Sequence, residues 1–151
     1  MHIIKHAVIT LVSSGFLLAT GGALAQETPA VAPAGVKLIE AKAVQDLQAK
    51  GAVLIDTRKA NEFSDATIKG AISVPYDPEK SAKDANFDSA QDKFDMSKIA
   101  DKGKDYVLFC NSGTCWKSYK AAVVMAKAGY KNVNWYRNGF PDWKARKLPT
   151  E

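Results

Sequence analysis

The chain has 151 residues, 46% hydrophobic and 25% charged, with a formal net charge of +5. That length suits one compact domain and little more. Its Lys residues are scattered among Asp and Glu, the pattern of a solvated surface, which argues against nucleic acid as a partner.

Lys5 and His6 give a basic start, Ala7 to Ala19 an apolar stretch, and Ala23-Leu24-Ala25 a small-x-small cleavage site. This pattern predicts a signal peptide over residues 1–25, cut after Ala25, and a periplasmic or secreted mature protein. No later segment is apolar enough to span a bilayer, so no stable membrane association is expected after cleavage. Both histidines, His2 and His6, leave with the peptide. A mature chain without histidine excludes a Ser-His-Asp triad, a Cys-His pair and any His-ligated metal. Two cysteines cannot complete a zinc site, so no metal and no cofactor are expected.

Residues 26–35 are rich in Pro and Ala and read as a flexible linker before a folded domain over residues 36–150. Val44 and Leu47 stand at helical spacing within Ala41 to Lys50, which Gly51 stops. The run Ala52-Val53-Leu54-Ile55, ending at Asp56, predicts a strand buried on both faces. Ala60 to Phe63 suits a short helix, and Ala71 to Val74 a short strand before Pro75. Asp77 to Asp105 is polar and reads as a surface excursion holding one short helix near Met96 to Asp101. Val107 to Phe109 is the next buried strand. Trp116 to Ala128 is the longest helix, with Tyr119, Ala122, Val123 and Ala126 on one face and Gly129 closing it. Asn132 to Tyr136 predicts a last strand, and Pro141 to Ala145 a last helix. Strands alternating with helices imply an α/β fold with a mainly parallel sheet, flanked by helices on both faces.

The only two cysteines lie in one segment, Phe109-Cys110-Asn111-Ser112-Gly113-Thr114-Cys115-Trp116, between a strand and the longest helix. In parallel α/β sheets ligands bind beyond the carboxyl ends of the strands, where Cys110 falls. Backbone N–H groups and the helix dipole favour an anion there, so an accessible thiolate is expected. Asn111, Ser112, Gly113, Thr114, Cys115 and Trp116 would form an anion cradle that replaces the missing base. Ser112, Thr114 and Ser118 offer hydroxyl donors, and Lys117 or Lys120 could draw an anion to the entrance. Trp116 reads as core or loop wall. Asp56 and Arg58 follow the first buried strand, either as an ion pair fixing the chain or with Arg58 attracting an anion. A purely structural Cys110–Cys115 bridge is the plainer reading of the pair, although so short a loop restrains the unfolded chain only modestly.

The segments around the loop carry a resemblance. Val53-Leu54-Ile55-Asp56-Thr57-Arg58, then Glu62-Phe63, then Ile68-Lys69-Gly70-Ala71-Ile72 and Pro75, resemble the first signature of the rhodanese family. Gly129-Tyr130-Lys131-Asn132-Val133, with Asn138-Gly139-Phe140-Pro141-Asp142-Trp143 and Leu148-Pro149, is similar to its closing signature. The resemblance implies a rhodanese-like α/β domain in which Cys110 is the nucleophile. A small anionic sulfur donor such as thiosulfate would load sulfane sulfur onto Cys110 as a persulfide. Cyanide or a thiol would accept it, with the protein working as a monomer. Some positions depart from the pattern. Ala66-Thr67 replaces a usual Gly-His pair, and the loop lacks its common basic residues, with Asn111 and Cys115 in their place. Related phosphatase domains carry a longer loop followed by arginine; Trp116 here argues against phosphatase activity. Cys115 resembles the second cysteine of exported rhodanese-like proteins with a Cys-x4-Cys-Trp loop. It could act as a resolving thiol against a persulfide or a sulfenic acid. Two alternatives stay open: a periplasmic thiol–disulfide protein with a redox partner, using both cysteines, and a non-catalytic binding module on the same fold.

Overall fold

The computed structural model describes residues 25–151. The expected signal peptide lies, but for Ala25, outside the described residues. Five strands form one sheet in the order β1-β5-β4-β2-β3: β1 (Val36–Leu38), β2 (Val53–Asp56), β3 (Ile72–Ser73), β4 (Asp105–Phe109) and β5 (Asn132–Tyr136). Every pairing is parallel. Among the described residues three helices connect strands, α1 (Ala41–Ala49), α2 (Ala60–Asp65) and α3 (Trp116–Lys127), and α4 (Gly139–Ala145) follows β5.

The two-residue period of a strand sends alternate side chains to opposite faces. Leu54, Val107, Phe109 and Tyr136 therefore meet α1 and α4 through Val44, Phe140 and Trp143. Ile55, Leu108, Val133 and Trp135 meet the opposite layer, built from α3 and residues of the excursion. Val107, Leu108 and Phe109 are fully buried, as a continuous apolar run in a parallel sheet requires. The α/β expectation with helices on both faces is thus met.

Three details differ from the expectation. Strand β1 has no counterpart among the expected elements: it is three residues long, sits at the sheet edge, and leaves Leu38 exposed. Its register Val36↔Val133 comes from backbone pairing rather than from a buried pattern. The excursion between β3 and β4 holds two short 3-10 turns, Ser89–Gln91 and Met96–Ile99, and places Tyr76, Phe87 and Ile99 in the core beside α3. Lys120, expected near the anion entrance, is instead fully buried. Its ammonium reaches Glu79 at 2.9 Å and the Ser81 hydroxyl at 2.8 Å. Asp92 joins the same cluster, accepting from Tyr76, Ser81 and the Lys80 N–H. Burial alone would raise the Asp92 carboxyl, but these donors outweigh it and hold the group down at about 2. The lysine pins the excursion to α3 because a buried charge must be paired.

No helix among the described residues is long and apolar enough to cross a membrane.

Candidate active site

Strands β4 and β5 run side by side to the carboxyl end of the sheet, with Phe109 opposite Tyr136. Cys110 and Arg137 are the next residues of the two strands. The backbone around Cys110 is held from both sides. Thr57 donates its N–H and its hydroxyl to the Phe109 carbonyl, at 3.1 and 2.9 Å. Phe140 N–H, at the start of α4, donates to the Cys110 carbonyl at 2.8 Å. Gly139 allows this approach: its φ is +65°, and a Cβ there would collide with the Cys110 carbonyl oxygen.

Residues 111–115 then carry the chain to α3, with Cys115 at its N-cap. Cys115 N–H donates to the Ser112 carbonyl at 3.0 Å, closing a tight turn. Gly113 and Thr114 are the central residues of this turn, and Ser112, which opens it, has a φ of 150°. Ser112 and Thr114 pair their hydroxyls at 3.1 Å. Ser118 does not serve the loop: it is buried and accepts from the Trp135 indole at 3.0 Å. Among the described residues, the N–H groups of Asn111, Ser112 and Gly113 have no protein acceptor.

Cys110 and Cys115 form a disulfide, with Cα atoms 6.2 Å apart. Cys110 is 1% exposed and Cys115 half-buried. The accessible thiol expected at Cys110 is therefore absent from this oxidised state. Trp116 is 2% exposed and donates its indole N–H to the Gln26 carbonyl.

Of the secondary residues, Asp56 and Arg58 form a buried ion pair at 2.6 Å. Asp56 also accepts from Thr67, while Arg58 donates to the Ala66 carbonyl and lies over the Phe140 ring. Arg58 is 4% exposed, with Nε and Nη2 held by Asp56 and the Ala66 carbonyl, so it is buried away from an external anion. Lys117 donates to the Tyr76 carbonyl and pairs with Asp77 at 3.0 Å. Glu62 faces the loop by accepting from the Asn111 amide at 2.6 Å. Burial would raise its carboxyl, but the Asn111 and Lys59 donors, with Arg58 and Lys117, together hold it below the usual range.

Sequence reasoning missed two contributors. The segment read as a flexible linker begins with residues docked on the loop. Thr28 is buried, and its N–H and hydroxyl both donate to the Gly113 carbonyl at 2.7 Å. The second is Arg137. Its Nε donates to the Thr28 hydroxyl and its Nη2 to the Thr28 carbonyl and Glu27. Its guanidinium rests on Gly113 so closely that a Cβ there would lie 2.8 Å from Cζ and Nη1. An open groove of about 690 Å³ between Gly35, Tyr119, Val123 and Tyr130 includes none of these residues. No group of acidic, His or Cys side chains among the described residues could hold a metal.

A family model for the rhodanese-like domain matches residues 40–146. The chain belongs to the rhodanese-like domain family. It is 31% identical over 96 residues to a thiosulfate:glutathione sulfurtransferase of Saccharomyces cerevisiae, covering 60% of this chain and 63% of that protein. The chain thus spans under two thirds of the length of the curated relatives it matches. Among solved structures it is similar to a rhodanese-related protein of Thermoplasma volcanium, with a TM-score of 0.55 and 20% identity over 76% of this chain and 97% of that one. A Lactobacillus plantarum protein aligns with a TM-score of 0.56 and 27% identity, over 76% and 87% of the two chains.

Proposed function

We propose that the protein is an exported sulfurtransferase that carries sulfane sulfur as a persulfide on Cys110. The observation that carries this reading is the position of Cys110, at the carboxyl edge of β4, opening a loop that ends at the N-cap of α3 in a rhodanese-like domain. In the first half-reaction the Cys110 thiolate attacks the outer sulfur of thiosulfate. The S–S bond of the donor breaks, sulfite leaves with the bond pair, and Cys110 holds a persulfide anion. The unpaired N–H groups of Asn111, Ser112 and Gly113, with the first turn of α3, supply donors for that anion. A thiol or cyanide nucleophile then removes the outer sulfur.

The Cys110–Cys115 disulfide favours a second reading at the same site. Cys115 acts as a resolving thiol: its thiolate attacks the inner sulfur of the persulfide, hydrosulfide leaves, and the disulfide remains. The dithiol is oxidised while the sulfane sulfur is reduced, so an external thiol must regenerate the enzyme. Cys115 is the more exposed residue of the two, and exchange starting there frees Cys110.

Both readings are tested by cyanide-dependent thiocyanate formation with single cysteine variants. Cys110→Ser should abolish turnover, because a hydroxyl cannot hold a persulfide. Turnover in that variant would refute the assignment. Cys115→Ser should still load sulfur and should lengthen the lifetime of the persulfide in the absence of acceptor. An unchanged or shorter lifetime removes Cys115 from the resolving role.

A further inference from the structure

A thiolate and a thiosulfate dianion repel one another, so a cation near the loop would assist their meeting. The loop has none: Asn111, Ser112, Gly113, Thr114 and Cys115 are all neutral, and the nearest carboxylate, Glu62, is held in its charged form beside Asn111. Three neighbouring cations are already committed. Arg58 is buried against Asp56, Lys120 is buried against Glu79, and Lys117 is tied to Tyr76 and Asp77. Arg137 is paired too, but with Glu27, the most exposed of these four carboxylates.

Arg137 leaves the carboxyl end of the sheet beside Cys110 in register, and its guanidinium lies on the Gly113 backbone. One fifth of its side-chain surface is exposed. Nε and Nη2 are engaged by Thr28 and Glu27, while Nη1 makes no hydrogen bond among the described residues. A guanidinium fixed through Nε and Nη2, with Nη1 still unpaired, keeps donor capacity for an oxyanion. We infer that Arg137 is the donor-binding residue of this site, selecting doubly charged sulfur donors by pairing with their sulfonate oxygens. This inference rests on the persulfide reading above. In it, Arg137 draws thiosulfate to the loop and stabilises sulfite as it departs. Thr28 fixes the guanidinium from the N-terminal segment. Glu27, whose side chain is 71% exposed and whose carboxylate lies 3.1 Å from Nη2, competes with the incoming anion.

The test uses the reduced full chain and two donors, thiosulfate as a dianion and benzenethiosulfonate as a monoanion. Both deliver the same outer sulfur, with sulfite or benzenesulfinate leaving. The second-order rate of sulfur loading on Cys110 is followed by intact mass. Arg137→Gln should slow loading from thiosulfate about tenfold or more, the scale of a lost charge-assisted hydrogen bond. Loading from benzenethiosulfonate should fall less than about threefold. Arg137→Lys should keep the preference for the dianion while loading more slowly, which covers the case in which the Gln variant fails to fold. Glu27→Gln should speed loading from thiosulfate by about twofold, since an exposed ion pair is weak. An equal fall with both donors would reduce Arg137 to a structural prop, and an unchanged thiosulfate rate would remove it from the site; either overturns the inference while the persulfide reading stands. A folded wild-type protein that loads from neither donor overturns both.

Discussion

Replacing Asp56 by Ala separates the structural role of the Asp56–Arg58 pair from a role in anion attraction. Asp56 is fully buried and accepts four separate donors: the Arg58 N–H, the Arg58 Nε and Nη2 groups, and the Thr67 hydroxyl. Removing it leaves a guanidinium that is 4% exposed with only the Ala66 carbonyl and the Phe140 ring as partners. Breaking a buried pair from one side typically costs about 3–5 kcal/mol, because the remaining charge has no counterion. The retained carbonyl and ring contacts place the expected loss near the lower end, about 3 kcal/mol. That is a large fraction of the roughly 5–15 kcal/mol that stabilises an ordinary domain. Arg58→Met should cost about as much, since it strands the carboxylate instead. The double variant Asp56→Leu with Arg58→Met should lose markedly less than the two single losses combined, as the buried charge disappears altogether. Urea unfolding of the four proteins, read by tryptophan fluorescence, gives the coupling energy directly. A single-variant loss below about 1 kcal/mol, or strict additivity of the two, would refute the buried-pair argument.

Other predictions concern the excursion and the loop supports. Asp92 has a folded-state carboxyl held at about 2, below the ordinary value of 3.8, so the unfolded chain binds the proton more readily. Its stabilisation is therefore complete above pH 4 and fades as pH falls from about 4 towards 2, a contribution of about 2–3 kcal/mol. Asp92→Asn should show a flatter acid limb of stability between those pH values; an unchanged acid limb would contradict the assignment. Gly139→Ala meets both an unfavourable positive φ and the Cys110 carbonyl, and should cost about 3 kcal/mol in chemical denaturation. A neutral result would mean that the α4 approach to Cys110 is not tight. Thr28→Val removes the hydroxyl that joins Gly113 to Arg137 and should lower stability by about 1 kcal/mol while increasing protease access at the N-terminal segment. No change in either readout would argue against the docked segment.

Much of this architecture was legible in the sequence because burial leaves periodic traces. The uninterrupted runs of β2 and β4 sit at the centre of the sheet, and the apolar stripe of α3 faces them. β5 was read at its true bounds, Asn132–Tyr136, because its apolar and aromatic residues fill both layers. Strand β1 left no such trace, since an edge strand held by backbone pairing can expose a leucine. The cysteine loop was visible from its position between a strand and a helix. Its surroundings were not. Arg137 stands 22 to 27 residues beyond the cysteines in sequence, and only the parallel register of β4 and β5 brings it to Cys110. The signal that could have found it was the small residue at Gly113 together with a basic residue immediately after β5. Thr28 and Gln26 lie in a Pro- and Ala-rich stretch whose composition predicts freedom, yet a few hydrogen bonds to Gly113 and Trp116 tie it down. Lys120 and Ser118, expected to serve the anion site, lie instead on the buried side of α3, where each has a specific partner away from the loop.

Intact mass of the reduced protein, taken before and after thiosulfate without further reductant, tests the central claim most directly. The account predicts a gain of one sulfur atom that cyanide removes and that Cys110→Ser never acquires. A protein that gains no sulfur, and instead loses two hydrogens without releasing sulfide, would contradict it and leave thiol–disulfide exchange as the chemistry of this loop.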